Sequence, residues 1–177
     1  SLVEEVKKRV DDLHKRNREL DDRSEKMVRK ANEENKELDK KSKEDVDRLI
    51  ERAERLKGTS EETVKEITRD VERVAKRLED EYRELEKRNR EVVRELRKRY
   101  DDLEKENRDM LKDIRDRLLD VEEELRRLAE KLKRSIEESR EILKELERRL
   151  RESIRRSREI LKRLKEELER AIERLRR

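Results

Sequence analysis

Histidine occurs once, at position 14, cysteine is absent, and the many carboxylates stand interleaved with Lys and Arg. The residue types that do chemistry are therefore present without the groupings chemistry needs. A lone imidazole has no second ligand at metal-binding spacing and no nucleophile to serve as base, so His14 reads as a surface or network residue. No phosphate-binding loop, zinc-ligand pair or nucleophile constellation occurs in the sequence. Neither catalysis nor a cofactor, metal or small-molecule substrate is expected.

Hydrogen bonding is the chemistry that remains. Asn17, Asn35, Asn89 and Asn107, with Ser24, Ser42, Tyr82 and Tyr100, occupy positions on otherwise apolar stripes. A buried amide or hydroxyl left without a partner costs about 1–3 kcal/mol, so these residues are expected to form a polar network in the core. The alternative is that they sit at the stripe's edge in water. Close antiparallel pairing of the two helices read below would set Asn17 beside Tyr100 and Asn35 beside Tyr82. Asn89, Asn107, Ser24 and Ser42 would then face apolar residues and meet symmetry copies of themselves on another chain. Ser135 and Ser153 read as surface positions.

Charge argues against a nucleic-acid partner. There are 56 basic and 52 acidic residues, a formal net charge of +4, and the basic run at Arg148, Arg149, Arg151, Arg155, Arg156 and Arg158 is interrupted by Glu147, Glu152 and Glu159. With no aromatic nearby for base stacking, an ion-paired, solvated face is the simpler reading. No apolar run approaches the roughly 18 residues of a membrane span, and no apolar signal-peptide core follows Ser1. Cytoplasmic placement on recombinant expression is the default expectation.

The elements that must carry these residues are helices. Charged residues make up 61% of the chain and apolar ones 29%, proline is absent and glycine occurs once, a mixture too polar for a compact globular core and too regular for disorder. The first stripe runs through Val10, Leu13, Asn17, Leu20, Ser24, Val28 and Ala31 to Leu56, and the second starts at Val64. Their steps of three and four close after about 18 residues in five turns, the period of a straight α-helix, whereas a heptad would impose a supercoil. Even the text repeats: Ser135-Ile136-Glu137-Glu138-Ser139 returns as Ser153-Ile154-Arg155-Arg156-Ser157.

Only Lys57-Gly58-Thr59-Ser60 breaks the pattern, Gly58 offering a left-handed helix end and Thr59 with Glu62 a capping box, as Ser1 does with Glu4. The expected fold is all-α, a helical hairpin of one short and one very long straight helix assembling into an elongated bundle. Its parts are a first helix over 1–57, a loop at 58–60, a hairpin half over 61–117 and an extension over 118–177.

Capping boxes, a minimal Gly-Thr-Ser loop, Glu/Lys/Arg surfaces, near-absence of aromatics and the unbroken five-turn period resemble computationally designed helical bundles. The resemblance covers the whole chain and implies a rigid, thermostable homo-oligomer or paired rod, with buried hydrogen-bond networks fixing partner and register.

The extension governs the expected partner. Its stripe comprises Leu118, Val121, Leu125, Leu128, Leu132, Ile136, Ser139, Leu143, Leu146, Leu150, Ile154, Ser157, Leu161, Leu164, Leu168, Ile172 and Leu175, which a first helix of about 57 residues is too short to cover. An exposed apolar stripe of that length requires a partner. Copies of the same chain are the simplest, a dihedral tetramer ahead of an antiparallel dimer or a cyclic dimer or trimer. The alternative is a binding module pairing the stripe with a different designed helical chain.

Overall fold

The structure is a computed structural model that describes residues 2–117 and 123–176. They form three α-helices, α1 (Leu2–Arg55), α2 (Glu61–Arg117) and α3 (Glu123–Arg176), of 54, 57 and 54 residues. The hairpin of one short and one very long helix is thus overturned. What reads as a single helix from Thr59 to Arg177 is two helices of nearly equal length.

Signals of a different kind from Gly and Pro accompany this second division. α3 opens on Glu123 and Glu124, acidic groups that complement the positive helix N-terminus, and Asp120 stands three positions before Glu123, the spacing of a helix-start pattern. Composition also changes there, since no Asp or Asn occurs beyond Asp120. Folding back lets one chain cover its own apolar stripe.

The first turn is built from short local bonds. Gly58 has φ of 87°, and a Cβ there would meet nothing within 4 Å. The left-handed backbone, not crowding, therefore selects glycine. Thr59 closes the end of α1, its hydroxyl donating to the Leu56 carbonyl at 2.6 Å and its amide to the same oxygen at 3.2 Å. The cap of α2 falls one residue later than the Thr59–Glu62 pattern suggests, because Ser60 Oγ accepts the Thr63 amide at 3.4 Å.

The helices contribute to two compact units, Ser1–Arg29 with Glu91–Arg149, and Lys30–Arg90 with Leu150–Arg177. In the first, Val6, Val10 and Leu13 of α1 meet Leu103, Met110 and Ile114 of α2 and Leu125, Leu128, Leu132 and Ile136 of α3. A smaller cluster in the same unit joins Val28, Leu96 and Leu146. The second unit packs Val46 and Ala53 with Ile67, Val71 and Leu78 and with Leu164, Leu168 and Leu175. Within each unit α2 runs antiparallel to the other two helices. Arg9 bonds Asp113 while Tyr100 bonds Asp21, and Arg97 bonds Glu147 while Glu104 bonds Arg140.

The stripe assigned to an oligomer interface is consequently internal. Leu125, Leu128, Leu132, Ile136, Leu146, Leu150, Ser157, Leu164, Leu168 and Leu175 are buried, and Ser139, Leu143, Ile154, Leu161 and Ile172 half-buried, within this one chain. Leu118 and Val121 lie outside the described residues.

Candidate functional site

Period and burial together make layers. Val10, Val28 and Val46 of α1 are fully buried, as are Leu132 and Leu150 of α3, and successive members of each set stand one full repeat apart. A helix with this repeat returns the same face to its neighbours every five turns. The polar residues follow the same arithmetic, so they too recur as layers.

In the first unit Asn17 and Asn107 exchange amide bonds. Asn17 Nδ2 donates to Asn107 Oδ1 at 3.0 Å and Asn107 Nδ2 to Asn17 Oδ1 at 2.9 Å. Asn17 also donates to Ser135 Oγ at 2.7 Å, and Asn107 to the Leu103 carbonyl at 2.7 Å. All three side chains are buried. The second unit holds the counterpart: Asn89 Nδ2 donates to Asn35 Oδ1 at 2.8 Å, and Asn35 Nδ2 to Ser153 Oγ at 2.5 Å. One further repeat along each helix, Ala53, Val71 and Ala171 fill the equivalent positions with apolar side chains, all buried.

Both tyrosines face carboxylates. Tyr100 donates to Asp21 at 2.7 Å and Tyr82 to Asp39 at 2.7 Å. Burial raises both aspartates above the usual carboxylate range, while the phenol bonds oppose the shift. Burial and the adjacent carboxylate likewise push both phenols up. The Ser24, Ser42 and Ser157 hydroxyls and Asn32 Oδ1 are buried without a hydrogen-bond partner among the described residues.

A raised folded pKa means that Asp39 contributes stability below its unfolded value, near 3.8, and loses that contribution as pH rises through the folded one. Asp39→Asn keeps an acceptor for Tyr82 and removes the half-buried charge. Its melting temperature at pH 7 should exceed the parent's by a few degrees, the scale set by about 2–4 °C per kcal/mol at this chain length. The gain should fade once acid protonates Asp39 in the parent, which a pH series of calorimetric melts would show.

Asn17 does not meet Tyr100, nor Asn35 Tyr82, as the sequence-based register would have them. Each amide instead finds the Asn seven positions, about two helical turns, farther along α2 and a Ser on α3, so the amides are paired inside one chain. Ser135 and Ser153, read as surface, are network members. Ser135 is buried and Ser153 half-buried, and His14 Nδ1 lies 3.2 Å from Ser135 Oγ. Asp21 and Asp39 are the polar residues that sequence reading missed. They stand one repeat apart, in step with Ser24/Ser42 and Tyr82/Tyr100, and that shared rhythm is the signal that marks them.

Ion pairs decorate the exposed edges in the same rhythm. Glu86 takes Arg90 and Arg158, and Glu104 takes Arg108 and Arg140, the cations outweighing burial and lowering both carboxyl groups. One pair inverts: Lys165 meets Glu79 in the second unit, whereas Arg97 meets Glu147 at 2.6 Å in the first. A slip of α3 against α2 by one repeat would set Glu79 against Glu147 or Arg97 against Lys165. Exposed pairs add little stability, but like charges penalise the wrong register.

No protein-family model and no curated protein sequence matches the chain. A solved structure described as a computationally designed three helix bundle is similar to it, with 16% sequence identity and a TM-score of 0.50 over 98% of this chain and 85% of that chain. At that identity the likeness concerns the fold: three helices packed as a bundle.

Proposed function

We propose that the chain is a designed structural scaffold, a three-helix bundle without catalytic activity, whose polar layers set the register of helices that an apolar core alone would leave degenerate. The carrying observation is that α3 supplies the third wall of every buried cluster, the place a partner was expected to fill. The bundle neighbour and the designed style of the sequence support the same reading. Polar contacts joining all three helices serve specificity more than stability, since a buried amide gains little over an apolar side chain but tolerates few partners.

Self-association rested on an uncovered stripe beyond Leu118, and that motive is gone from Leu125 to Leu175. Sedimentation equilibrium of the full chain should return a monomer at the 22.0 kDa of the sequence across a hundredfold range of concentration, about the span needed to expose a micromolar association. A concentration-dependent dimer or tetramer would restore the assembling reading, and association only with added helical chains would favour the binding module.

A further inference from the structure

The two polar layers are built alike and differ at one titratable residue. Asn17, Asn107 and Ser135 correspond, one repeat away on each helix, to Asn35, Asn89 and Ser153. At the adjoining position of α1 the first layer has His14 and the second Asn32.

One bond direction around Ser135 is fixed by Asn17, whose amide nitrogen can only donate. The Ser135 oxygen receives the Asn17 amide at 2.7 Å and lies 3.2 Å from His14 Nδ1. With Asn17 donating, the hydroxyl proton pairs with His14 when Nδ1 is unprotonated and the ring proton sits on Nε2. Asn107 has no spare donor to offer, since its amide nitrogen already serves Asn17 and the Leu103 carbonyl.

We propose that His14 is a proton-operated lock on the Asn17–Asn107–Ser135 layer, closed when neutral. A proton from solvent on Nδ1 turns the acceptor into a donor. Ser135 Oγ, with two lone pairs, can still accept from Asn17, but its own proton loses its acceptor and a cation is set against the buried hydroxyl, so the His14–Ser135 link from α1 to α3 is weakened and the Asn17–Asn107 pair stays. Apart from the N–H bond that the solvent proton forms at Nδ1, no covalent bond changes. The second layer, with Asn32 in place of the imidazole, lacks the device.

The surroundings favour the neutral ring. Burial acts first, then Arg18 of α1 and Lys131 of α3, opposed by Glu138 of α3 and Asp11 of α1, and the balance holds His14 below its ordinary 6.5. Lys131 and Asp11 also pair with each other at 3.5 Å, and α2 meets the layer through the uncharged Asn107. With the folded value below the unfolded one, the contribution of neutral His14 to stability is complete above 6.5 and is lost as pH falls through the folded value.

Nuclear magnetic resonance of the full chain between about pH 8 and pH 5, the range in which imidazoles titrate, tests this. The expected result is an Nε2–H tautomer at high pH, a His14 midpoint below 6.5, and Asn17 side-chain amide signals that move with that midpoint while those of Asn35 stay still. Amide-exchange protection around Asn17 should fall by up to about tenfold for each pH unit between 6.5 and the midpoint, and level off below it. Ser135→Ala should raise the midpoint, and His14→Asn, which copies the second layer, should abolish the pH response of Asn17. Asn17 signals that stay flat while His14 titrates would overturn the proposal. So would an equal response at Asn35, an Nδ1–H tautomer at high pH, or a midpoint at or above 6.5.

Discussion

Asn89→Val alone should lower the melting temperature by roughly 4–12 °C, whereas Asn35→Ala, Asn89→Val and Ser153→Ala together should restore it to the parent value or above. The single change removes the amide that donates to Asn35 Oδ1 at 2.8 Å and leaves that buried oxygen unpaired, at about 2–3 kcal/mol. A chain of this length converts each kcal/mol into about 2–4 °C. The triple change removes every member of the layer and installs the side chains that already stand at Ala53, Val71 and Ala171. Side-chain volume is almost conserved, since valine replaces about what the alanine loses, so neither a cavity nor overpacking follows. The three substitutions are therefore strongly non-additive.

Stability is only half of that expectation. With one layer apolar, a one-repeat slip of one helix against its neighbours loses part of its penalty, and register rests more heavily on the remaining Asn17 layer and the inverted Glu79–Lys165 and Arg97–Glu147 pairs. Amide spectra of the triple variant should show added minor peaks beside a raised melting point. Calorimetry giving a triple variant no more stable than Asn89→Val would show that the polar layer contributes net stability, against the specificity role argued for it.

Much of the fold is legible in the sequence. Helix type, face and period follow from the stripes, because burial selects one side of each helix and five turns return it to the same neighbours. The turn at Gly58 is legible because only glycine adopts φ of 87° without strain. The second division is not, because neither Gly nor Pro marks it and the apolar stripe passes from Ile114 through Leu118 and Val121 to Leu125 without losing phase. One-dimensional periodicity cannot tell a continuous helix from two helices that happen to share a phase. The composition change at Asp120 and the near-equal thirds of the chain carry the distinction.

Site legibility follows the same line. That Asn17, Asn35, Asn89 and Asn107 occupy the stripe is readable, but their partners depend on register, and the packed pairs lie about two helical turns from the simplest hairpin alignment. Ser135 and Ser153 look like surface residues only while α3 has no neighbours. The aspartates at 21 and 39 read as solvent charges until a tyrosine on α2 is placed within 2.7 Å of each. In each case the missing information was which helix stands opposite.

A chain ending at Arg117 should lose its monomeric folded state. It keeps α1 and α2 with their turn, but without α3 the apolar faces around Val10, Val28, Leu78 and Leu96, all 0% exposed in the full chain, open to water. A fully buried aliphatic side chain contributes about 1.5–3 kcal/mol relative to an exposed one, and α3 covers positions on both other helices while burying its own Leu132, Leu150 and Leu168. The loss exceeds the roughly 5–15 kcal/mol by which folded domains are stable. Two outcomes satisfy the physics: partial unfolding at low concentration, or association of hairpins so that neighbouring copies replace α3. Because the helices carry strong amphipathic faces, the second should dominate at micromolar concentration, with high helicity, a concentration-dependent melting temperature and a dimer or larger species by sedimentation. Asn17 and Asn107 can still pair within the hairpin, but the Asn17 donor to Ser135 and the Asn35 donor to Ser153 must find water or another chain, which favours assemblies with amides facing amides. A truncated chain that stays monomeric and melts cooperatively at the parent temperature would mean that α3 is not part of the cooperative core.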